Sequence, residues 1–276
     1  MELRHDTSMR IEDILRHSPL SSLETEVLLA SLLAKERTWV WTHPEAQLSK
    51  NQEERWRAWM ERRGKGEPVA YITQEREFFG RMFSVDRRVL IPRPATEGLI
   101  SVAQAWLKKP ANNTTEIDAG IVAVAKVLHV AEHIRTVVDV GTGSGCIAIS
   151  LACEDPTLTV LATDISEDAL DVARTNAKRH GVDTRIRFLQ GNLLDPVSDL
   201  LEPFLLISNP PYVPSERTLS PDVDRFEPSI AIRAGADGMD VIRPLLEAAR
   251  RHPSCCGFIL ECEEAQIPLL EEILNS

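Results

Sequence analysis

From Thr136 onward the chain alternates between short apolar runs and helical stretches, and that alternation restricts the fold more than any other feature. Thr136-Val137-Val138-Asp139-Val140 reads as a strand, 147–152 as a helix, 158–162 as a strand, 168–180 as a helix closed by Gly181, and Ile186-Arg187-Phe188-Leu189 as a strand. Phe204-Leu205-Leu206-Ile207 adds a further buried strand. Such alternation implies parallel strands joined by right-handed crossovers, so the expected class is α/β with a doubly wound, Rossmann-like sheet. Ligands of such sheets lie beyond the carboxyl ends of the strands.

Two loops fall at those ends. Gly141-Thr142-Gly143-Ser144-Gly145 follows the first strand and opens a helix, where glycines permit a tight turn and a close approach to a ligand. The spacing is neither that of dinucleotide binders nor that of a phosphate-cradling loop. Asp164 closes the second strand, where an acidic residue accepts hydrogen bonds from ribose hydroxyls in such folds. Asp139 adds negative charge beneath the glycines, which suits a cationic ligand better than pyrophosphate. The second loop, Ser208-Asn209-Pro210-Pro211-Tyr212, offers a side-chain carbonyl on Asn209 and two prolines that lack N–H groups. It presents acceptors and almost no donors, which fits a planar group with two N–H bonds, such as an amide or an exocyclic amino group, packed on Tyr212. Read alone, either loop is also compatible with ordinary turn punctuation.

The preceding chain divides differently. Capping-box patterns at Ser21-x-x-Glu24 and Ser49-x-x-Gln52 open helices over 23–36 and 53–63, the first apolar around nearly its whole circumference and the second carrying Trp56, Trp59 and Met60 on one face. Residues 1–66 are therefore expected to be an all-helical docking domain without catalytic groups. Short β-type runs at 69–72, 77–80 and 89–91 predict a β-hairpin linker over 67–94, leaving 95–276 as the sheet domain. Pro94 suits the first turn of a helix running through Trp106. The apolar stretch 117–134 predicts a helix.

Net charge weighs against some partners and leaves others. The chain carries −11, and residues 136–276 alone hold 11 basic and 23 acidic residues. A surface that negative repels phosphate backbones, so direct nucleic-acid binding is not expected. The five cysteines are odd in number, lie in or beside apolar runs and form no C-x-x-C pair, which points to reduced packed thiols rather than disulfides or a metal site. No run approaches the ~18 apolar residues of a membrane span and no signal-peptide pattern opens the chain, so a cytoplasmic protein is expected.

At the level of whole motifs, Asp139-Val140-Gly141-Thr142-Gly143-Ser144-Gly145, Thr163-Asp164-Ile165-Ser166 and Ser208-Asn209-Pro210-Pro211-Tyr212 resemble the class I S-adenosylmethionine-dependent amino-methyltransferases. More narrowly, Pro68-Val69-Ala70-Tyr71-Ile72, Glu77-Phe78-Phe79-Gly80, Val89-Leu90-Ile91-Pro92-Arg93-Pro94, Glu227-Pro228 and Asp237-Gly238-Met239-Asp240 are similar to the HemK-type release factor glutamine methyltransferases. The resemblance implies that Gly141, Thr142, Gly143, Ser144, Gly145, Asp164, Asn192, Leu193 and Asn209 hold S-adenosylmethionine. It also implies that Asn209, Pro210, Pro211 and Tyr212 bind and activate a glutamine in the Gly-Gly-Gln motif of a peptide chain release factor. A monomer is expected. Ala95, Gln74 and Asn192 depart from the usual family residues. Residues 110–134 read as an insertion, and the final strand pair of the family sheet is not evident after residue 261, so an exposed sheet edge is expected. Two further readings are a DNA or RNA amino-methyltransferase and a non-catalytic release-factor binder.

Overall fold

In a computed structural model, residues 9–131 and 133–275 are described. Internal contacts divide the chain into two units. In the first, α1 (Ile11–His17), α2 (Ser22–Leu33), α3 (Arg37–Thr42), α4 (Lys50–Gly64) and α5 (Val69–Thr73) form a small bundle. Both expected capping boxes are present: Ser21 and Glu24 exchange hydrogen bonds at the start of α2, and Ser49 and Gln52 do so at the start of α4. α2 touches each of the other four helices, which is why its apolar residues run around the axis rather than along one stripe. Trp56 and Trp59 lie in the bundle core with Leu28, Leu29 and Ile11. Arg63 pairs with Glu24 at 2.7 Å, tying α4 to α2. Residues 69–72, expected as a strand, form α5 instead; the Pro68 carbonyl accepts from the N–H groups of Tyr71 and Ile72 and nucleates a helical turn.

The second unit starts with the hairpin of β1 (Glu75–Phe78) and β2 (Arg81–Ser84), turned by Phe79 and Gly80, both at positive φ as in a two-residue type I′ hairpin turn. Residues 89–91 are not a strand. α6 (Glu97–Lys108) follows, three residues beyond the expected Pro94 start. The stretch 117–134 is not a helix: β3 (Asn113–Asp118) and β4 (Ile121–Val127) form an antiparallel hairpin there. Alternate residues of β4 go to opposite faces, Val122 and Val124 to one core layer and Ala123 and Ala125 to the other, as only an extended chain permits.

Then β5 (Thr136–Val140), α7 (Cys146–Glu154), β6 (Thr159–Asp164), α8 (Glu167–Arg179), β7 (Ile186–Gln190) and β8 (Phe204–Ser208) come in the expected order. The short α9 (Pro221–Phe226) groups with the first unit. α10 (Ile242–Arg251), β9 (Cys255–Glu263) and α11 (Ile267–Asn275) complete the second. The strand order is β3-β4-β9-β8-β5-β6-β7, with β5 to β9 mutually parallel and β4 antiparallel to β9. Helices α6, α7 and α8 cover one face, and α10 with α11 the other.

The expected open edge beside β9 is therefore closed. Seven residues of β4 pair with β9, from Ile121 opposite Glu263 to Val127 opposite Gly257, so the stretch read as an insertion supplies the antiparallel strands. The outermost strand is β3, short and largely exposed, with Asn, Thr and acidic residues that suit an edge. Among the described residues no helix is long and apolar enough to cross a membrane.

Candidate active site

Parallel register brings every sequence-selected loop to one rim of the sheet. Val140 pairs with Thr163, Asp164 with Gln190, and Ser208 with Leu260, so the segments after β5, β6, β7, β8 and β9 leave the sheet side by side. The Ser208 hydroxyl donates to the Val140 carbonyl at 2.6 Å, fixing the two central strand ends together.

The turn after β5 is held mainly by its own backbone. The N–H groups of Gly141 and Thr142 donate to the Thr163 carbonyl, and the Gly145 N–H donates to the Thr142 carbonyl. Gly143 has φ +56 and donates its N–H to Asp164 Oδ2 at 2.9 Å. A Cβ at Gly141 would meet nothing within 4 Å, so open space lies against this backbone. Thr142 and Ser144 face inward: the Thr142 hydroxyl donates to Asp139 Oδ2 at 2.7 Å, and the Ser144 carbonyl accepts from the buried Asn176 amide at 2.9 Å. Asp139 Oδ2 also accepts from the Ala148 N–H at 3.1 Å, while Oδ1 is buried without a partner. Burial, opposed by those two donors and reinforced by Asp164, pushes the Asp139 carboxyl up to about 7.

Asp164 spends one hydrogen bond on each oxygen, from Gly143 N and from Ser166 N, both at 2.9 Å. A carboxylate accepts about four, so lone pairs remain for a vicinal diol. Burial raises its pKa against the backbone donors. Beyond β7, Asn192 is exposed, and Leu193 sits in the left-handed region at φ 49, its carbonyl accepting from the Thr163 hydroxyl. The orphaned Asp139 oxygen, the open glycine turn and the remaining lone pairs of Asp164 fit a ligand that carries positive charge and adjacent hydroxyls.

The loop after β8 is held by side chains from far away in sequence. Asn209 Nδ2 donates to the Thr96 hydroxyl at 2.8 Å, and Oδ1 takes no hydrogen bond from the described residues. The Tyr212 hydroxyl donates to Glu261 Oε1 at 3.0 Å. The Gln266 amide donates to the Tyr212 carbonyl at 2.9 Å and reaches the Asp237 carbonyl at 3.3 Å. A Cβ on Gly238 would lie 2.1 Å from the Tyr212 carbonyl, so only glycine lets the 237–240 segment close on the loop. The 91–94 motif meets Glu227 in the same way: the Ile91 N–H donates to Glu227 Oε2 at 3.0 Å and Arg93 pairs with Oε1 at 2.5 Å.

Thr96, Glu261 and Gln266 are the site residues that sequence reasoning missed. Glu261 ends an otherwise apolar run, Gly257-Phe258-Ile259-Leu260, and an acid at the carboxyl end of a buried strand is the signal that could have found it. Nothing local marks Thr96.

A family model described as the PrmC N-terminal domain matches residues 8–73, and one described as the methyltransferase small domain matches residues 111–225. The chain is similar to the release factor glutamine methyltransferase of Chlorobaculum tepidum, 42% identical over 217 residues that cover 77% of this chain and 68% of the relative. That of Koribacter versatilis is 36% identical over 247 residues, covering 88% and 79%. Among solved structures, the hMettl16 catalytic domain in complex with MAT2A 3'UTR hairpin 6 aligns with a TM-score of 0.51 at 17% identity, over 75% of this chain and 70% of that one, a likeness of fold.

Proposed function

The chain belongs to the release factor glutamine methyltransferase family, and from that premise we propose that it moves a methyl group from S-adenosylmethionine to the side-chain amide nitrogen of a release-factor glutamine in a Gly-Gly-Gln motif. Class I methyltransferases generally use S-adenosylmethionine, which when bound supplies an electrophilic methyl group on a positively charged sulfur. The observation that carries the reading is Asn209. Its side-chain carbonyl is left available at the strand end next to the glycine turn, followed by two residues without N–H groups.

An amide nitrogen is a weak nucleophile because its lone pair is delocalised into the carbonyl. Asn209 Oδ1 and the Pro210 carbonyl accept its two N–H bonds, hold the nitrogen in line with the methyl group, and stabilise the positive charge that develops on it. Tyr212 packs behind the amide plane, with Pro211 shaping the wall. No strong base is required before transfer, since the proton leaves afterwards. Gly141–Gly145, Asp164, Asn192 and Leu193 would hold S-adenosylmethionine, Asp164 by accepting from its ribose hydroxyls, while Thr142 and Ser144 brace the glycine turn from within and Asp139 anchors it through Thr142. The helical unit and the wider surface dock the release factor.

Mass spectrometry of a release factor incubated with the protein and S-adenosylmethionine tests this directly. A gain of one methyl group on the Gly-Gly-Gln glutamine is expected; methylation elsewhere, or none, refutes the assignment.

A further inference from the structure

The buried carboxyl at the end of β9 has no part in the scheme above. Glu261 is 1% exposed, and its register partner across the sheet places it beside Asn209, since Ser208 pairs with Leu260. Oε1 accepts from the Tyr212 hydroxyl, and Oε2 is buried without a hydrogen-bond partner. Thr96 lies beside both groups: it is 2% exposed, its hydroxyl accepts from Asn209, and it and Asn209 are each near enough to Glu261 to favour the ionised carboxylate.

A hydroxyl that accepts on one side is free to give its own proton on another. An ionised Glu261 only accepts, and the Thr96 proton, out of reach of bulk water, then has that carboxylate as its nearby destination. With that proton committed, Thr96 can only accept from Asn209, so the Asn209 NH2 turns inward and its carbonyl outward. A neutral Glu261 would reverse the order: its O–H would donate to Thr96, Thr96 would donate to Asn209 Oδ1, and the Asn209 NH2 would meet the NH2 of the incoming glutamine.

We propose that Glu261 is a positioning residue that sets the direction of the Asn209 amide through Thr96, so that the site selects a glutamine side chain over a glutamate. The inference rests on the glutamine reading above. Burial raises the Glu261 carboxyl above its ordinary range, against the opposing effects of Thr96, Tyr212, Asn209 and the Arg93 cation. The other titratable neighbours are Cys146 on α7 and Cys262 on β9, both thiols driven up by burial and neutral through the working range, and Glu263 on the same strand, which acts on Tyr212.

The test is the affinity of the full chain for two short peptides, Gly-Gly-Gln and Gly-Gly-Glu in identical flanks, measured by calorimetry. The parent protein should prefer the glutamine peptide, and Thr96→Val and Glu261→Gln should each lower that preference about tenfold or more. Thr96→Ser, which keeps the hydroxyl, should retain it. Glu261→Gln alone also removes a charge that repels the glutamate peptide; Thr96→Val leaves that charge in place and so isolates the relay. In the parent the preference should decay as pH falls through the raised Glu261 pKa, and in Glu261→Gln it should not depend on pH there, a comparison that holds even if Thr96→Val does not fold. Parental preference retained in a folded Thr96→Val protein, or a parental preference that ignores pH, overturns the relay alone. A parent that does not prefer the glutamine peptide overturns the glutamine reading itself.

Discussion

The turn 141–145 and the loop 209–212 leave neighbouring strands, yet they are built on opposite plans. The first is rich in backbone donors and satisfies them within two adjacent strands, on Thr163, Thr142 and Asp164. The second has two residues with no donor and is held by side chains from residues 96, 261 and 266. Each lies near a buried carboxyl. Asp139 takes two donors on one oxygen from its own turn and helix, whereas Glu261 accepts from Tyr212 in the loop it supports. A turn held by its own main chain keeps its shape when a distant side chain is lost; a loop held by remote side chains does not. The first plan suits a site that must fit one invariant ligand, and the second suits a site whose chemistry depends on which way one amide points.

Substitutions separate the two plans. The largest effect is expected at Asn209: Asn209→Ala should lower single-turnover methyl transfer by about 10² or more, since a polar contact that strengthens in the transition state is worth roughly 2.7–4 kcal/mol, while release-factor affinity stays near the parental value. A folded variant that transfers methyl at the parental rate removes Asn209 from the chemistry. Next, Asp164→Ala should weaken S-adenosylmethionine binding by about 1.5–3 kcal/mol through loss of charge-assisted hydrogen bonds. Calorimetric titration reads this directly, and unchanged affinity would place the cofactor elsewhere.

The third effect is on stability. A carboxyl whose folded pKa lies above its unfolded value binds protons more tightly when folded, so its contribution is full below the unfolded value of 3.8 and is lost as pH rises towards about 7. Folding free energy should therefore fall between pH 5 and pH 7, Asp139 contributing up to about 1.4 kcal/mol per pH unit, with Asp164 and Glu261 acting in the same direction. Urea unfolding of Asp139→Asn should show a shallower slope; an equal slope would mean that Asp139 stays ionised. The smallest effect is expected at Gly143. Gly143→Ala keeps the left-handed backbone only at a cost of about 1–2 kcal/mol, which thermal unfolding should register as a modest loss of stability.

The same contrast explains what could be read from residues alone. The strands and helices from β5 to β8 show themselves through local runs bounded by turn residues, and Asp164 and the glycines stand next to one another in both sequence and space. Residues 117–134 were open to misreading because a continuous apolar run suits a buried helix as well as a strand buried on both faces. Pairing with β3 on one edge and, more than a hundred residues later, with β9 on the other makes β4 a strand. Val69-Ala70-Tyr71-Ile72 has β-type side chains and still forms a helical turn, because the bundle packs Ala70, Tyr71 and Ile72 inward and Pro68 starts the turn. Thr96 and Glu261 acquire their places through tertiary contact, which no periodicity records.

The hairpin that closes the sheet also has a history during synthesis. Val127 pairs with Gly257, so roughly 130 residues must be added after β4 before its partner strand exists. At about 5–20 residues per second the nascent chain carries β4 unpartnered on that side for on the order of ten seconds, with apolar side chains on both faces and a row of unused backbone donors and acceptors. Polar β3, made just ahead of it, occupies the other edge of β4, so during that interval the hairpin offers a single open edge, the one that β9 later closes.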